Sequence, residues 1–386
     1  MISITLAGGY QMQQRSANGL GRALSGESAI AEDASVVASN AAGLFWLEEG
    51  RHHLSFSSSY LMVDGSVSGD FNNRLSDGDF GVESPLPSFY YGYNPGCNVA
   101  FGFAAHAAFA QHTDYDADFP AISLADKTKI KSIAFRPTVA WKVNSDFAVG
   151  GSLDVISTDG SIASSLPNGG KLLHLEGDDI TLGFSLGAMW QATENTRFGM
   201  QFRSKSKLTL EGTAMSDAVA AFNGDSEMAL TLPETIELSV YHQLDSQWAI
   251  HGDILWTNWS RFQTLAPKLA NGAPIPEELQ DWDDAIRISV GATYQYSDNL
   301  KLRAGIAWDQ TPVPDSTRAL RNPGSDAMWY TVGASYKINE RHSVDAAFAY
   351  INSEEASITD TGSTGTFSGK GDTSINVFAL QWNVKF

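Results

Sequence analysis

A serine between two glycines is the first feature of this chain that suggests catalysis. Residues 183–187 read GFSLG, which matches the Gly-x-Ser-x-Gly pattern around the nucleophile of many esterases. In such an enzyme Ser185 would occupy a sharp turn between a strand and a helix. Here the motif lies inside a segment of alternating apolar and polar residues, which predicts the middle of a strand. We therefore predict no catalytic residue and keep an esterase only as an alternative.

Patterns for metal binding are weak. Residues 114–118, DYDAD, carry an aspartate at every second position, which suits either a divalent cation or a solvated acidic loop. None of the eight histidines has the spacing of a metal site, such as two on one face of a helix. Cys97 is the one cysteine, which excludes an internal disulfide and any site built from several cysteines. The sequence thus predicts no metal ion and no cofactor.

Arginines and acids recur on the polar side of several alternating segments. The arginines are Arg136, Arg203, Arg287 and Arg303, and the opposing acids are Asp154, Glu237, Asp253 and Asp345. Side chains on the same side of neighbouring strands lie close together. Two interpretations stay open. The set is either a structural network of ion pairs that holds an internal segment, or a site where one or two arginines bind the acidic head group of a ligand.

The bulk composition indicates the class of protein to which these side chains belong. The chain has 386 residues, of which 43% are hydrophobic and 18% are charged, below the roughly 25% that is usual in soluble domains. It contains 10 Trp, 12 Tyr and 20 Phe, yet lacks the run of about 18 apolar residues that a membrane helix needs. Apolar residues spread over short alternating segments are typical of a transmembrane β-barrel. The formal net charge of −19 argues against a nucleic acid partner.

About fourteen alternating segments follow one another from residue 52 onward, and each predicts a strand. They span residues 52–64, 87–94, 97–111, 129–143, 146–160, 178–192, 195–212, 227–244, 247–262, 282–296, 299–311, 327–339, 342–354 and 372–386. Six connections are short turns, at 94–96, 143–146, 192–195, 244–247, 296–299 and 338–341. The longer and more polar connections are 65–86, 112–128, 161–177, 213–226, 263–281, 312–326 and 355–371. Short turns at one end and long loops at the other are typical of an outer-membrane barrel.

Segment length and aromatic placement favour a membrane barrel over a soluble sandwich. Most segments are longer than the five or six residues of an average soluble strand. Apolar sides such as Ile286, Ile288 and Val290 would then face lipid. Tryptophans near segment ends are expected to form interfacial girdles, and these are Trp141, Trp190, Trp248, Trp256, Trp259, Trp308 and Trp329. The last segment alternates up to Phe386, so we expect it to pair on both edges and close the barrel.

The first 47 residues have a different character. They are rich in small residues, have the composition of short helices and show no sustained alternation. The start, MISITLAGGYQMQQ, lacks the basic region and the longer apolar run of a complete secretion signal. An exported protein carries such a signal at first, so we expect this sequence to be a processed or recombinant form.

Residues 18–44, NGLGRALSGESAIAEDASVVASNAAGL, resemble the N-terminal hatch of the FadL-type long-chain fatty acid transporters. That family has Gly-Leu-Gly-Arg-Ala, then Ser-Gly-Glu, an acidic pair and Asn-Pro-Ala. Residues 232–265 and 284–318 are similar to the family in the same order. The resemblance implies an all-β transmembrane barrel of about fourteen antiparallel strands, residues 48–386, in the bacterial outer membrane. A small helical hatch, residues 1–47, would plug its lumen.

The resemblance also implies passive import of hydrophobic molecules, first of all long-chain fatty acids. The ligand would be captured at outer loops, pass to a lumen pocket and leave sideways through a gap beside a kinked third strand. Gly102 and Ala104 would form that gate, because glycine weakens a strand and permits a bend. Small residues that merely make room for the hatch are the other interpretation. The candidate ligand-binding residues are Tyr10, Met12, Phe101, Phe103, Arg136, Arg203 and Arg287.

Two departures from the family concern the site. The hatch turn reads Asn40-Ala41-Ala42 in place of Asn-Pro-Ala, so it lacks the fixed φ of proline. Thr158 and Asp283 stand at positions that are basic in a relative, so these positions are not expected to hold a carboxylate. The alternatives are import of aromatic or alkane hydrocarbons on the same fold, an outer-membrane esterase and an adhesive barrel. We expect a monomer that contacts outer-membrane lipid and lipopolysaccharide.

Overall fold

A closed antiparallel β-barrel surrounds the N-terminal segment in the computed structural model, which describes residues 8–386. The strands are β1 (His52–Phe71), β2 (Arg74–Tyr93), β3 (Val99–Asp114), β4 (Lys127–Lys142), β5 (Phe147–Ser165), β6 (Lys171–Gln191), β7 (Thr196–Arg203), β8 (Ser206–Met215), β9 (Gly224–Leu232), β10 (Thr235–Gln243), β11 (Trp248–Thr257), β12 (Thr264–Leu265), β13 (Pro267–Leu269), β14 (Glu278–Leu279), β15 (Ala285–Ser297), β16 (Leu300–Asp309), β17 (Ala327–Lys337), β18 (His342–Ser353), β19 (Ala356–Gly362) and β20 (Gly365–Lys385). The helices are α1 (Ala17–Leu20), α2 (Val36–Ser39) and three 3-10 helices, Ala41–Trp46, Ala220–Phe222 and Trp259–Arg261. No helix within residues 8–386 has the length and apolar character needed to cross a bilayer. The prediction that the sequence is a processed or recombinant form concerns the first residues, which lie largely outside this range.

Fourteen strand positions run around the barrel, as the alternation predicted. β7 with β8, β9 with β10, and β18 with β19 each form one interrupted position, while β12, β13 and β14 are short strands within a loop region. β20 pairs with β18 and β19 on one edge and with β1 on the other. This last ladder runs from His53↔Lys385 to Phe71↔Phe367, so the barrel closes without a free edge.

The six short turns lie at one end of the barrel, where they were predicted, and we call it the short-turn end. The opposite, long-loop end differs from the prediction in three places. Residues 65–86, 161–177 and 355–371 are mostly extended, because β1 and β2 continue to a turn at Asn72–Asn73, β5 and β6 pair as far as Ser165↔Lys171, and β19 pairs with the start of β20. The two asparagines have φ of 52° and 62°, as a two-residue hairpin turn requires. Glycine and aspartate favour loops here, but the ladders to neighbouring strands outweigh that preference.

Apolar side chains cover the outside of the barrel wall. Ile286, Ile288 and Val290 are exposed, whereas Arg287 and Ser289 between them are buried. The exposed tryptophans include Trp141, Trp190, Trp248 and Trp308. This arrangement is the reverse of a soluble domain and places the apolar sides toward lipid.

Two tryptophans do not belong to the outer surface, and their predicted place in the girdles is wrong. Trp259 and Trp329 are both 0% exposed. Trp329 occupies an inward position of β17 between Ala327 and Thr331, which are also buried. Trp259 opens a 3-10 helix in which the strand alternation no longer applies. Near a strand end, a shift of one residue is enough to move a side chain to the other face.

Residues 8–47, which we call the hatch, fill the short-turn half of the lumen and are almost all buried. Ser16 caps α1, because its hydroxyl accepts a hydrogen bond from the backbone N–H of Gly19 (3.1 Å). The hatch backbone lies directly against the wall where the strands carry glycine. A side chain at Gly199 would collide with the carbonyl of Ser28. Small wall residues therefore fix how closely the hatch fits.

Candidate ligand-binding lumen and lateral opening

The ladder between β2 and β3 is interrupted. Five pairs join the two strands at the short-turn end, and the last of them is Phe89↔Ala105. Pairing resumes only at an isolated bridge, Phe80↔Tyr115. Between these points no ladder pair joins β2 to β3, although β2 remains paired with β1 throughout. The interruption spans residues 81–88 of β2. We call this interruption the lateral opening.

Two prolines in β2 explain why this edge offers no ladder. Pro85 and Pro87 lie within the lateral opening, and β1 pairs with both of them in an unbroken register. Counted from the two-residue hairpin turn, both stand at positions whose backbone nitrogen points away from β1. Proline has no N–H, so two donors are missing from the edge that faces β3. The Pro-x-Pro pattern at residues 85–87 is the sequence signal from which this edge could have been predicted.

β3 bends away from β2 at a bulge. Its register with β4 is regular through Gly102 and shifts between Ala107 and Phe109, so Ala108 is the extra residue. The predicted bend at Gly102 is therefore wrong in position. Gly102 makes room for the hatch instead, because a Cβ there would lie 2.7 Å from the side chain of Val37. The bulge also exchanges inside and outside, so Phe109, which has the same parity as the outward Phe101 and Phe103, is buried in the lumen.

The start of the hatch takes the pairing position that β2 leaves. The N–H of Met12 donates to the carbonyl of Ala108 (2.9 Å), and the N–H of Ala110 donates to the carbonyl of Tyr10 (2.8 Å). The Met12 side chain belongs to the same buried cluster as Leu86 of β2 and Ala110 of β3. Hatch residues 10–12 therefore lie on the inner side of the lateral opening and hold the freed edge of β3.

A second set of buried apolar side chains lies between the hatch and the long-loop end. We call it the apolar lumen cluster, and its members are Tyr10, Ala108, Phe109, Ile130, Ala134, Ile156, Ile162, Leu208, Leu210, Met228, Leu230, Leu232, Trp259, Phe262, Leu265, Trp282, Ala285 and Val313. The Tyr10 ring centroid lies 4.5 Å from that of Trp259 and 5.8 Å from that of Trp282. Burial raises the pKa of the Tyr10 hydroxyl well above its ordinary value. An aromatic, largely apolar lining of this kind suits a hydrophobic ligand.

A charged layer lies next to this cluster on its short-turn side. On three neighbouring strands the inward residue changes from apolar to polar at the next inward position, from Ala108 to His106, from Ala134 to Arg136 and from Ile156 to Asp154. Inward positions along a strand are about 7 Å apart. The lumen therefore changes from apolar to charged over one such step, close to the bulge in β3.

Arg136 and Arg287 have carboxylate partners in the charged layer. The Nε of Arg136 donates to Asp154 at 2.6 Å, and a terminal nitrogen donates to the other oxygen of that carboxylate at 3.2 Å. Arg287 contacts Asp253 at 3.3 Å and Glu237 at 3.9 Å. Both arginines lie in the lumen with the acids that the alternation placed opposite them, as in a structural network of ion pairs.

Arg203 is the exception in this layer. It is 3% exposed, and none of its three guanidinium nitrogens has a hydrogen-bond partner among the described residues. Its contact with Asp154 is 3.9 Å long, from Nε to Oδ2. A buried guanidinium without hydrogen bonds is costly, so this side chain requires a separate explanation.

A third group of charges joins the hatch to the wall at the short-turn end. Glu32 accepts hydrogen bonds from Lys301 (2.9 Å) and Arg303 (2.7 Å), and Arg303 also contacts Asp345 at 3.7 Å. Burial raises the pKa of the Glu32 carboxyl, but Arg303, Lys301 and Arg22 outweigh burial and hold that pKa well below its usual range. Glu32, Lys301, Arg303 and Asp345 border a polar pocket of about 460 Å³. A ligand that moved straight along the barrel axis would meet charge on this side of the hatch.

The hatch turn Asn40–Ala41–Ala42 is stabilised without proline. The Asn40 side-chain oxygen accepts a hydrogen bond from the N–H of Ala42 (3.0 Å). Its amide nitrogen donates to the carbonyls of Ser28 (2.7 Å) and of Ala188 in β6 (2.9 Å). Asn40 thus caps the 3-10 helix that follows and ties the turn to the barrel wall.

Two predicted ligand-binding residues lie away from the lumen. Phe101 is 51% exposed on the lipid side of β3, and Phe103 is half-buried on the same side. The predicted gate residue Ala104 is fully buried in a cluster with hatch residues such as Val37. None of these three residues belongs to the apolar lumen cluster.

The remaining chemistry-bearing motifs do not form a site. Ser185 lies inside β6 and not at a strand-to-helix turn. Thr158 is buried and shares a hydrogen bond with Ser132 (2.7 Å), while Asp283 is exposed. Asp114 forms an ion pair with Lys127. Within residues 8–386, no group of three or more His, Cys, Asp or Glu side chains is placed to hold a metal ion.

Comparison with known proteins gives a consistent family assignment. A family described as "Outer membrane protein transport protein (OMPP1/FadL/TodX)" matches residues 1–386. The long-chain fatty acid transport protein of Escherichia coli K12 is 25% identical over 426 residues, which cover 98% of this chain and 94% of that protein. The 47 kDa outer membrane protein of Pasteurella multocida is 26% identical over 434 residues, with the same coverage of both chains.

Solved structures show the same fold. A Pseudomonas aeruginosa FadL homologue superposes with a TM-score of 0.89 at 22% identity and covers 97% of this chain and 99% of its own. The toluene transporter TodX of P. putida superposes with a TM-score of 0.74 at 17% identity and covers 98% and 99%. At these identities the structural likeness establishes the barrel with its plugged lumen and leaves the ligand open.

Proposed function

The chain belongs to the OMPP1/FadL/TodX family of outer membrane transport proteins, and from this premise we propose that it imports long-chain fatty acids passively and releases them sideways into the membrane. The protein is an outer membrane β-barrel transporter, and its family consists of transport proteins, not enzymes. In this proposal the long-loop end faces the outside of the cell and the short-turn end faces the periplasm. Long-chain fatty acids come first because the E. coli relative is named as their transport protein.

One observation supports the sideways route above all others. The apolar lumen cluster adjoins the lateral opening, because Ala108 and Phe109 belong to the cluster and also form the bulge where β3 leaves β2. On the inner side of the opening lie the apolar side chains of Met12 and Leu86. A ligand in the cluster is therefore separated from the membrane by hatch residues and not by a continuous strand ladder.

The free energy of an acyl chain favours this exit over an axial one. Each CH₂ withdrawn from water contributes about 0.8 kcal/mol, so a sixteen-carbon tail disfavours release into water by roughly 12 kcal/mol. An axial path would pass the charged layer and then the polar pocket beside Glu32 and Arg303. Sideways exit keeps the tail in apolar surroundings from the lumen to the hydrocarbon of the membrane.

Tyr10 is the residue that would couple ligand arrival to opening. Its ring packs edge-on against Trp259 inside the cluster, and its carbonyl accepts a hydrogen bond from Ala110 of β3. An entering tail competes with the Tyr10 ring for the same aromatic surface. Displacement of that ring would strain the two hydrogen bonds between residues 10–12 and β3 and free the lateral opening.

Capture would begin at the long-loop end, where apolar residues gather outside the hatch region. Tyr115, Phe119 and Ile122 of the connection after β3 pack with Phe80 and Phe367 of the extended strands. The Tyr115 and Phe119 rings are stacked, with centroids 4.6 Å apart. Parting of such a cluster would expose apolar surface on the path from the cell surface to the lumen.

Import of aromatic hydrocarbons is the second candidate, and the aromatic content of the cluster favours it. Tyr10, Trp259, Phe262 and Trp282 contact one another through ring edges, a geometry that accepts another ring. A neutral hydrocarbon of this kind would make no use of the arginines in the charged layer.

Uptake by bacteria that lack other transporters of this family tests the proposal. Cells that produce the chain should take up labelled oleate faster than cells with an empty vector, and labelled toluene should gain less. Ala134→Trp fills the cluster and should lower oleate uptake several-fold. Ala292→Trp, on the outer face of β15, is the matched control and should leave uptake unchanged. Equal oleate uptake with and without the protein would contradict the fatty acid proposal, and a gain for toluene alone would support the second candidate.

A further inference from the structure

We propose that Arg203 and Arg15 bind the carboxylate of a long-chain anionic amphiphile whose tail lies in the apolar lumen cluster. The inference rests on the proposed function and makes it narrower, since it assigns the head group a place in the charged layer. It also assigns the ligand an orientation, with the head toward the hatch and the tail toward the long-loop end.

The first observation is the state of Arg203. All three of its guanidinium nitrogens lack hydrogen-bond partners in the described part of the chain, although the side chain is almost completely buried. Carboxylates nearby are already engaged by others. Asp154 receives two hydrogen bonds from Arg136, and Glu237 accepts one from the Ser28 hydroxyl (2.8 Å). The fork of Arg203 is therefore free to bind a planar anion with two parallel hydrogen bonds.

The second observation is that Arg203 has other cations as neighbours. It interacts electrostatically with Arg136 and with Arg15 of the hatch, and also with Asp154 and Glu237, of which Asp154 is shared with Arg136. Arg15 is 6% exposed, and its Nε has no hydrogen-bond partner within residues 8–386. Buried like charges repel one another, so an anion between the hatch and β7 would relieve repulsion as well as complete the hydrogen bonds.

His106 borders the same place but is not a donor for the anion. Its Nδ1 lies 2.9 Å from the carbonyl of Ala107, which is an arrangement for a donated N–H. In the neutral ring Nε2 is then an acceptor. The positive donors at this site are therefore the two arginines.

The third observation is the position of the site relative to the apolar lumen cluster. Arg203 contacts Asp154, which also binds Arg136. Along their strands, Arg136 lies one inward position from Ala134 and Asp154 one inward position from Ile156, and both of these apolar residues belong to the cluster. A carboxylate at Arg203 thus places the first methylenes of its tail against apolar side chains. A neutral hydrocarbon in the same cluster would leave the guanidinium of Arg203 without hydrogen bonds. The site therefore favours carboxylates over neutral ligands.

Arg303 provides a matched comparison, because it is buried to a similar degree but has partners. It donates to Glu32 at 2.7 Å and to the Ser335 hydroxyl at 2.5 Å. Replacement of Arg303 by glutamine removes the same charge from the lumen without touching the proposed head-group site.

Binding of three labelled probes to the detergent-purified full-length protein tests the inference. The probes are oleate, oleyl alcohol with the same tail and a neutral head, and acetate with the same head and no tail. The intact protein should bind oleate more tightly than oleyl alcohol and should not retain acetate. Arg203→Gln should weaken oleate binding at least about tenfold, as expected for a lost charge-assisted pair, and should leave oleyl alcohol binding unchanged. Arg203→Lys should restore part of the preference, and Arg303→Gln should keep all of it.

Each outcome separates the head-group site from the transport proposal. If the intact protein binds oleate and oleyl alcohol equally, and Arg203→Gln changes neither affinity, the head-group site is wrong while hydrophobic transport stands. If acetate binds as well as oleate, the arginines form a general anion site and the proposed tail orientation falls. If neither long-chain probe binds above an unrelated barrel, the proposed function itself fails. Circular dichroism of each variant excludes loss of the barrel as the cause.

Discussion

At the scale of single residues, parity along a strand determines which charges enter the lumen. The alternation correctly placed Arg136, Arg203 and Arg287 inward, because every second residue of a strand faces the same side. It could not reveal which wall residues have partners in the hatch. Glu32 comes from a segment without periodicity, and only the folded chain brings it to Lys301 and Arg303 on the wall.

The charge of Glu32 should make hatch docking sensitive to acid. Lys301 and Arg303 hold its pKa well below the ordinary value of about 4.3, although burial acts in the opposite direction. A carboxylate with a depressed folded pKa contributes stability that is present above its unfolded pKa and is lost as pH falls through the folded pKa. We therefore expect the hydrogen-exchange protection factors of amides 17–46, which correct for the intrinsic pH dependence of exchange, to be high at neutral pH and to fall once pH drops well below about 4.

The variant Glu32→Gln isolates this contribution. Its hatch amides should have lower protection factors than those of the wild type already at neutral pH, and their further loss of protection in acid should be smaller. Glu354→Gln, an exposed carboxylate at the long-loop end, serves as the control. Glu27 has the opposite sign, since burial raises its pKa and its contribution is lost as pH rises. Identical exchange of Glu32→Gln and wild type at every pH would show that this ion pair does not hold the hatch.

At the scale of elements, the third strand shows what periodicity can and cannot predict. The strand itself was predicted at 97–111, close to its bounds at Val99–Asp114. The bulge at Ala108 was not predicted, because an extra residue between small side chains leaves no trace in the pattern "AAHAAFA". Phe109 has the same parity as the lipid-facing Phe101 and Phe103 and is nevertheless buried. The interruption of a ladder is likewise a property of two strands together, and only the prolines of β2 indicated it.

Restoring the two missing donors of β2 should close the lateral opening. In the double variant Pro85→Thr/Pro87→Thr both positions regain an N–H, and threonine favours strands. Pairing between β2 and β3 should then extend beyond Phe89↔Ala105, in competition with hatch residues 10–12. We expect the two new amides, at positions 85 and 87, to exchange slowly, and we expect a several-fold loss of oleate uptake by cells, with the barrel still assembled.

The control for this variant lies on the other edge of β3. Pro137→Thr changes an outward proline of β4 that pairs with Phe103, outside the lateral opening. Its oleate uptake should match that of the wild-type protein. Should the new amides at 85 and 87 exchange slowly while the double variant transports oleate at the wild-type rate, the ligand does not leave between β2 and β3.

At the scale of the whole molecule, the sequence predicted the architecture better than the site. The fourteen strands followed from the alternation and the six short turns from turn residues, both of which are local properties. The inner plug followed from the family resemblance. The long-loop end was predicted less well, because β1, β2 and β20 are extended there by mutual pairing and not by strand-forming residues. The apolar lumen cluster draws on segments from Tyr10 to Val313, so its composition depends on closure of the barrel.

The hatch should make the intact protein impermeable to ions. Residues 8–47 are buried in the lumen and carry their own charges into contact with the wall, as in Glu32 with Arg303. In planar lipid bilayers we therefore expect almost no conductance from the intact chain. Deletion of residues 1–47 would leave wall charges such as Arg136, Asp154 and Arg287 around a lumen that fills with water, and conductance should rise sharply.

The same deletion should lower oleate uptake even though it widens the channel. Without residues 10–12 the freed edge of β3 loses its partner, and the apolar lumen cluster loses Tyr10 and gains water beside it. A tail in that lumen no longer avoids the roughly 12 kcal/mol that sixteen carbons need to enter water. Ion conductance and oleate uptake should thus change in opposite directions, with circular dichroism showing that the barrel has assembled. A truncated barrel that gains both would mean that the ligand follows the axis of the pore and that the hatch is only an obstacle to it.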